Sequence, residues 1–199
     1  QMGVFHATGL DKDTNTVGTE TQKDDATGVI GYTSFFIEKT LGDRFTIGYD
    51  YSPSTLSSAT ANNDKCDNAT SAANAVIPAS NGSCLATVSV NKVQLDFSDM
   101  SQTYVALNVT PNVYLKAGIT SMDVATKESL DTGATYKDFT LDGTIMAIGF
   151  NKSFDNSMFV RAEGSYSEFD SHSATSGDHK ITIKDFEGVS GKLSIGKSF

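Results

Sequence analysis

Three features of this 199-residue sequence predict an all-β fold, an eight-stranded antiparallel up-and-down transmembrane β-barrel. Apolar and polar residues alternate with period two along several segments, as they do when successive side chains face opposite sides of a strand. Tight turns alternate with long polar connections, so one end of the sheet is trimmed and the other elaborated. The polar face carries charges of both signs among Gly and Ser, which suits a packed polar interior. A helix crossing a bilayer needs about 20 apolar residues, whereas the longest strong apolar run here is Ile145 to Phe150. Any crossing is therefore by strands.

The strands follow in order. The first spans residues 2–9, and an acidic connection, 10–26, leads to the second at 27–41. Gly42-Asp43 is a tight turn into the third, 44–52, whose face of Phe45, Ile47, Tyr49 and Tyr51 opposes Arg44, Thr46, Gly48 and Asp50. The longest connection, 53–87, is rich in Ala, Ser and Asn. The fourth strand lies within 88–110, and Pro111-Asn112 is a turn dipeptide. In the fifth, 113–125, Val113, Leu115, Ala117 and Ile119 oppose Lys116, Gly118 and Thr120. A polar connection, 126–138, precedes the sixth strand, 139–154. Asp155-Asn156 turns the chain into the seventh, 157–169, with Val160, Ala162 and Gly164 opposed to Arg161, Glu163 and Ser165. After the connection 170–180, the last strand sets Val189, Gly191, Leu193 and Ile195 against Ser190, Lys192, Ser194 and Gly196, and ends at Phe199. The second and sixth strands carry Phe35 beside Phe36 and Ile145 beside Met146, so their phase is not fixed by alternation.

Length and pattern predict a single domain over residues 1–199, with 10–26, 53–87, 126–138 and 170–180 as external loops. Fifteen basic and 24 acidic side chains leave a net charge of -9, which argues against nucleic acid as a partner. The strand-like start at Gln1 reads as a mature terminus after signal removal. Cys66 and Cys84, 18 positions apart, form no CxxC motif and no metal cluster; a disulfide in an oxidising compartment is the economical reading, two separate thiols the other.

With these residues in place the chain resembles the small eight-stranded bacterial outer-membrane barrels, the class of the OmpA-type transmembrane domain, OmpX and OmpW. The most specific element is the ending from Gly188 to Phe199. The resemblance implies that Phe199, with Ile195 and Leu193 before it, forms the signal read by the barrel-assembly machinery. It also implies a place in the outer membrane among lipids and lipopolysaccharide, with loops extracellular and both termini periplasmic. No soluble peptidoglycan-binding domain follows the barrel in this sequence.

An eight-stranded barrel is just wide enough for side chains to fill it. The inward charges Asp50, Lys116, Arg161, Glu163 and Lys192 are therefore expected to form a lumen charge network rather than line a channel. Tyr49, Tyr51, Tyr104, Phe150, Phe154 and Phe199 are candidates for the aromatic girdles. His172 and His179 lie near Asp170 and Asp178, but no motif fixes a nucleophile beside a base, and no enzymatic role, cofactor or metal site is expected. The loop acids, Asp11, Asp13, Glu20, Asp24, Asp25, Asp64, Asp67, Asp131, Asp170 and Asp178, lack calcium-motif spacing. Asn68 and Asn81 begin chance glycosylation sequons. The expected function is that of a structural or surface-interaction protein acting through its loops, with a homo-oligomer or surface array as a further partner. A passive narrow porin for small solutes and a secreted soluble β-sandwich adhesin are the alternatives.

Overall fold

In the computed structural model the alternation resolves into one antiparallel sheet wrapped on itself, described over residues 1–14, 19–58, 60–65, 89–129, 136–176 and 179–199. Its elements are β1 (Met2–Thr14), β2 (Thr19–Gly31), β3 (Phe35–Leu41), β4 (Phe45–Ser52), β5 (Leu56–Ser57) and β6 (Ala61–Lys65), followed by β7 (Ser89–Asn108), β8 (Val113–Ser129), β9 (Phe139–Ser153), β10 (Met158–Phe169), β11 (His172–Ser176) and β12 (His179–Lys197). The hydrogen-bonded order is β2-β1-β12-β10-β9-β8-β7-β4-β3. The two ends of this path, β2 and β3, are halves of one stave, parted by residues 32–34. Likewise β4, β5 and β6 lie along the third stave, so the segments make eight staves, and β1 against β12 closes the ring.

The short turns all fall at one end. Gly42, at φ 64°, sits in the turn between β3 and β4, where a left-handed backbone costs glycine nothing. Residues 109–112 and 154–157 turn the chain between the next two pairs of staves, with the Thr110 Oγ1 accepting from Val113 N and the Asn156 Oδ1 from Met158 N.

Outward positions form an apolar belt. Met2, Val4, Val29, Phe35, Ile37, Ile47, Val105, Leu107, Leu115, Ile119, Ile148, Val160, Leu193 and Ile195 are all exposed. The phase left open by sequence is settled in both strands: Ile145 is 2% exposed and Met146 61%, while Phe35 faces out and Phe36 in. A soluble sandwich would bury these outward residues. Exposed as they are, around a lumen holding charge, they make this chain a transmembrane β-barrel.

Four segments assigned to loops carry strand pairing instead. β1 runs to Thr14 and β2 starts at Thr19, so most of 10–26 is a ladder; β5 and β6 lie within 53–87; β8 continues to Ser129; and β11 pairs β12 within 170–180. The reason is that a spanning strand needs only about 9–11 residues, and β7 has 20, β12 19 and β8 17. Past the belt both faces meet water. Ladder bonds then continue without apolar alternation to announce them.

Two aspartates reset the side-chain phase. Asp99 and Asp185 have φ of 52°, and each lies at a register shift, Ser98 to Ser101 in β7 and opposite His6 to Thr8 in β12. Asp tolerates this left-handed backbone better than most residues, and the extra residue is a bulge. Below Asp99 the even positions Gln102, Tyr104 and Ala106 face inward; above it Leu95 and Phe97 do. The same switch brings Ile183 inward above Asp185.

Candidate functional site in the barrel lumen

The lumen has two storeys. In the one nearer the short turns, three ion pairs cross the interior. Lys116 Nζ on β8 lies 2.7 Å from Glu163 Oε1 on β10. Arg161 on β10 grips Glu38 on β3 with both terminal nitrogens, at 2.7 and 2.9 Å. Lys192 on β12 donates to Asp50 on β4. None of these pairs joins neighbouring staves: Lys116 and Glu163 have β9 between them, and the other two pairs join staves further apart. All five residues expected in the lumen network are therefore inside, and Glu38 is the sixth member. Three acids against three bases leave the set neutral.

Tyrosines complete the network. Tyr104 OH donates to Glu38 at 2.7 Å, and Tyr114 OH to Glu163 at 2.6 Å. Tyr104 is thus a lumen residue, 3% exposed, and not a girdle residue, because it shares the inward phase of Gln102 and Ala106. The cations also lie over rings: Lys116 Nζ is 4.4 Å from the Tyr104 centroid and the Arg161 guanidinium 4.9 Å from that of Tyr114. Desolvated cations over ring faces gain electrostatically from the ring quadrupole. The rings reach these positions because glycine faces them across the ladder. Tyr104 pairs with Gly48, and Tyr114 with Gly149; a Cβ at either glycine would sit 2.3 or 2.1 Å from the ring. An aromatic lying flat on a cross-strand glycine fills the bore without widening the wall.

The upper storey is apolar. Phe5, Tyr32, Met100, Met122, Val124, Leu141, Phe169, Ile183 and Phe186 form one buried cluster, with Phe97, Phe139 and Leu95 packed against it. Phe186 is its hub, with ring centroids 4.9 Å from Phe169, 5.4 Å from Phe97 and 6.0 Å from Phe5. Nothing in an uninterrupted alternation announces this plug, because two of its strands change phase at Asp99 and Asp185. Leu141, Met122 and Val124 on β9 and β8, where the phase is continuous, are the signal that was available.

Among the remaining candidates, Leu193, Ile195 and Phe199 all face outward and are exposed. Tyr49, Phe150 and Phe154 are likewise exposed on the outside. His172 stacks on Phe139 with centroids 3.9 Å apart, and His6 Nδ1 meets Thr27 Oγ1 at 3.0 Å. Asp25 accepts from Thr8 Oγ1 at 2.7 Å and from Lys23 Nζ at 3.1 Å, and these bonds hold its carboxyl below the usual carboxylate range. No group of His, Cys, Asp and Glu suited to a metal occurs among the described residues. Cys66 and Cys84, Asn68 and Asn81, and Asp67, Asp131 and Asp178 lie outside the described residues, as do the side chains of Asp11, Asp13, Glu20, Asp24, Asp64 and His179.

The fold and this interior define a class: a transmembrane β-barrel whose bore is filled by its own side chains. No protein-family model and no curated protein sequence matches the chain. Two solved structures similar to it are of Ail, the attachment invasion locus protein of Yersinia pestis. The one in complex with the heparin analogue sucrose octasulfate is 8% identical with a TM-score of 0.35. The other is 11% identical with a TM-score of 0.34. Each alignment covers 97% of this chain and 96% of the other.

Proposed function

We propose that this protein is a bacterial outer-membrane scaffold that works by surface interaction, holding extended hairpins beyond the bilayer, and that it neither conducts solutes nor catalyses a reaction. The observation that carries this reading is the double closure of the bore, by three crossing ion pairs and then by the apolar cluster. A charged ring selects solutes only where a path runs through it, and charges paired with each other inside the bore oppose such a path. The elaborated end is where the chain spends its length: roughly half of the 20-residue β7 lies beyond what a spanning strand needs. At about 3.3 Å per residue, ten residues run ~33 Å along the strand. In this reading the hairpins face the outside, both termini face the periplasm, and the net charge of -9 favours cation-bridged contact with lipopolysaccharide or neighbouring copies.

Planar-bilayer recording tests it. The purified, refolded protein is expected to give no steady unitary current above the empty membrane. Reproducible current steps from the folded protein, absent after heat denaturation, would overturn the scaffold reading in favour of a pore.

A further inference from the structure

Large side chains cover much of the lipid-facing wall, but one strip of it is bare. On β10 the outward positions after Val160 are Ala162 and Gly164, and across the ladder Gly164 pairs with Gly191 on β12. Ile148 and Phe150 on β9 stand on one side of this strip and Leu193 on the other. Together these residues bound an open groove of about 440 Å³ in the apolar belt.

The two glycines differ from those that face the lumen tyrosines. A Cβ at Gly48 or Gly149 would strike a ring, whereas a Cβ at Gly164 or Gly191 would meet nothing within 4 Å. Neither has the positive φ that favours glycine. The protein's own packing and backbone therefore do not require glycine at these two places, and no atom of the described residues fills the space they leave.

The two ends of the strip carry opposite charge. Towards the short turns Lys152 pairs with Val160 and Lys197 with Met158, so the two lysines flank the foot of β10 from β9 and β12. Both follow the outward phase, both are exposed, and neither is in an ion pair among the described residues. Strands two spacings apart stand about 9.6 Å from each other, a separation that two four-carbon side chains can close onto one phosphate. At the other end Tyr166 OH donates to Glu187, and Glu187 pairs with Glu168, so carboxylates that repel phosphate stand there. From Met158 to Gly164 the chain advances six residues, ~20 Å along the strand and about 15 Å in depth at the tilt of such barrels. That is half of a hydrocarbon core about 30 Å thick, the share of one leaflet.

We infer that this groove binds one anionic phospholipid of the leaflet at the short-turn end. Its phosphate lies between Lys152 and Lys197, and one acyl chain runs over Ala162, Gly164 and Gly191. Charge complementarity sets the headgroup and its direction: two unpaired cations stand at the mouth and two acids at the far end. The groove takes the acyl chain, which inorganic phosphate lacks.

The test refolds the full chain in detergent micelles holding phosphatidylglycerol or phosphatidylcholine and counts retained lipid by native mass spectrometry. One phosphatidylglycerol is expected to stay bound, on the order of 30-fold more tightly than phosphatidylcholine, at about fivefold for each lysine near an anionic lipid surface. Lys152→Gln with Lys197→Gln should bring phosphatidylglycerol down to the phosphatidylcholine level. Gly164→Val with Gly191→Val keeps both lysines but fills the groove, and should weaken both lipids at least about threefold through lost packing contacts. Ala162→Leu fills the same floor without replacing a glycine and should act alike. Lys39→Gln removes an exposed lysine of β3 and should change nothing. The fold of every variant is read from gel mobility without boiling. Equal retention of the two lipids by the parent chain would overturn the site, as would undiminished phosphatidylglycerol on the lysine variant. Undiminished binding to the folded groove-filled variants would show a charged rim without a groove and overturn it too. So would displacement of the lipid by an equal concentration of inorganic phosphate.

Discussion

Replacing Glu163 by Gln isolates the electrostatic part of the lumen network. Gln keeps the shape and still accepts from Tyr114 OH, but it leaves Lys116 uncompensated, with its side chain 2% exposed. The nearest remaining partner is Gln102 Oε1, 3.4 Å away and neutral. Removing one member of a buried pair costs about 3–5 kcal/mol, because the other charge stays desolvated. With a urea slope of ~2 kcal/mol per molar, the unfolding midpoint should fall by about 1.5–2.5 M. The assay is urea unfolding in detergent micelles, followed by far-ultraviolet circular dichroism and by gel mobility without boiling. Adding Lys116→Met to Glu163→Gln removes the stranded charge and should recover most of the loss, since an apolar replacement of a buried pair is often neutral. The pair of exposed Lys127 and half-buried Asp96, 3.8 Å apart, is the control, and Lys127→Ala should cost less than about 1 kcal/mol. A Glu163→Gln midpoint within 0.5 M of the parent, on the order of 1 kcal/mol at that slope, would refute the crossing-strut account. So would a double variant less stable than the single.

Further outcomes follow from the wall and the rim. Gly149→Ala sets a Cβ against the Tyr114 ring and should cost about 1–3 kcal/mol by overpacking; in a double-mutant cycle with Tyr114→Ala the two losses should be clearly less than additive, and additivity would remove the ring-on-glycine explanation. Leu193→Arg puts a charge on the most exposed part of the belt and should cost about 2–4 kcal/mol if it lies near the midplane, read as a lower folded yield in liposomes; an unchanged yield would place Leu193 out of the hydrocarbon. Asp25 should titrate below an ordinary carboxylate by carbonyl NMR. Its folded value is depressed, so its bonds to Thr8 and Lys23 add stability above the ordinary carboxylate pKa, and that addition fades as pH falls through the depressed value. A midpoint at or above about 4 contradicts this.

How much was legible depended on whether strand phase ran unbroken. From Val113 to Thr120, and again from Val160 to Ser165, uninterrupted alternation separates lipid face from lumen face, and Lys116, Arg161 and Glu163 point inward as that alternation requires. Lys192 and Asp50 follow likewise. Their pairing was not legible, because each ion pair joins staves that are not neighbours, so neither spacing nor register in sequence brings its members together. Glu38 was hidden by the Phe35-Phe36 doublet, and fixing Phe35 outward with Ile37 would have turned Glu38 inward. Tyr104 read as an interface aromatic because aromatics suit both settings; Gly48 and Gly118 beside it in the ladder mark it as interior. The apolar plug escaped because the bulges at Asp99 and Asp185 reverse the phase just where it begins. The long hairpins escaped because a ladder in water needs no apolar face.

The central claim, a lipid-facing belt around a lumen filled by side chains, is open to one direct measurement, since the chain contains no Trp. Single Trp probes are placed at Ile148 and Leu193 on the outside and at Tyr114 in the lumen, and each variant is refolded into vesicles containing lipids brominated on their acyl chains. The account predicts strong quenching at Ile148→Trp and Leu193→Trp and little at Tyr114→Trp. Equal quenching at all three positions, or none at the outward pair, would contradict it.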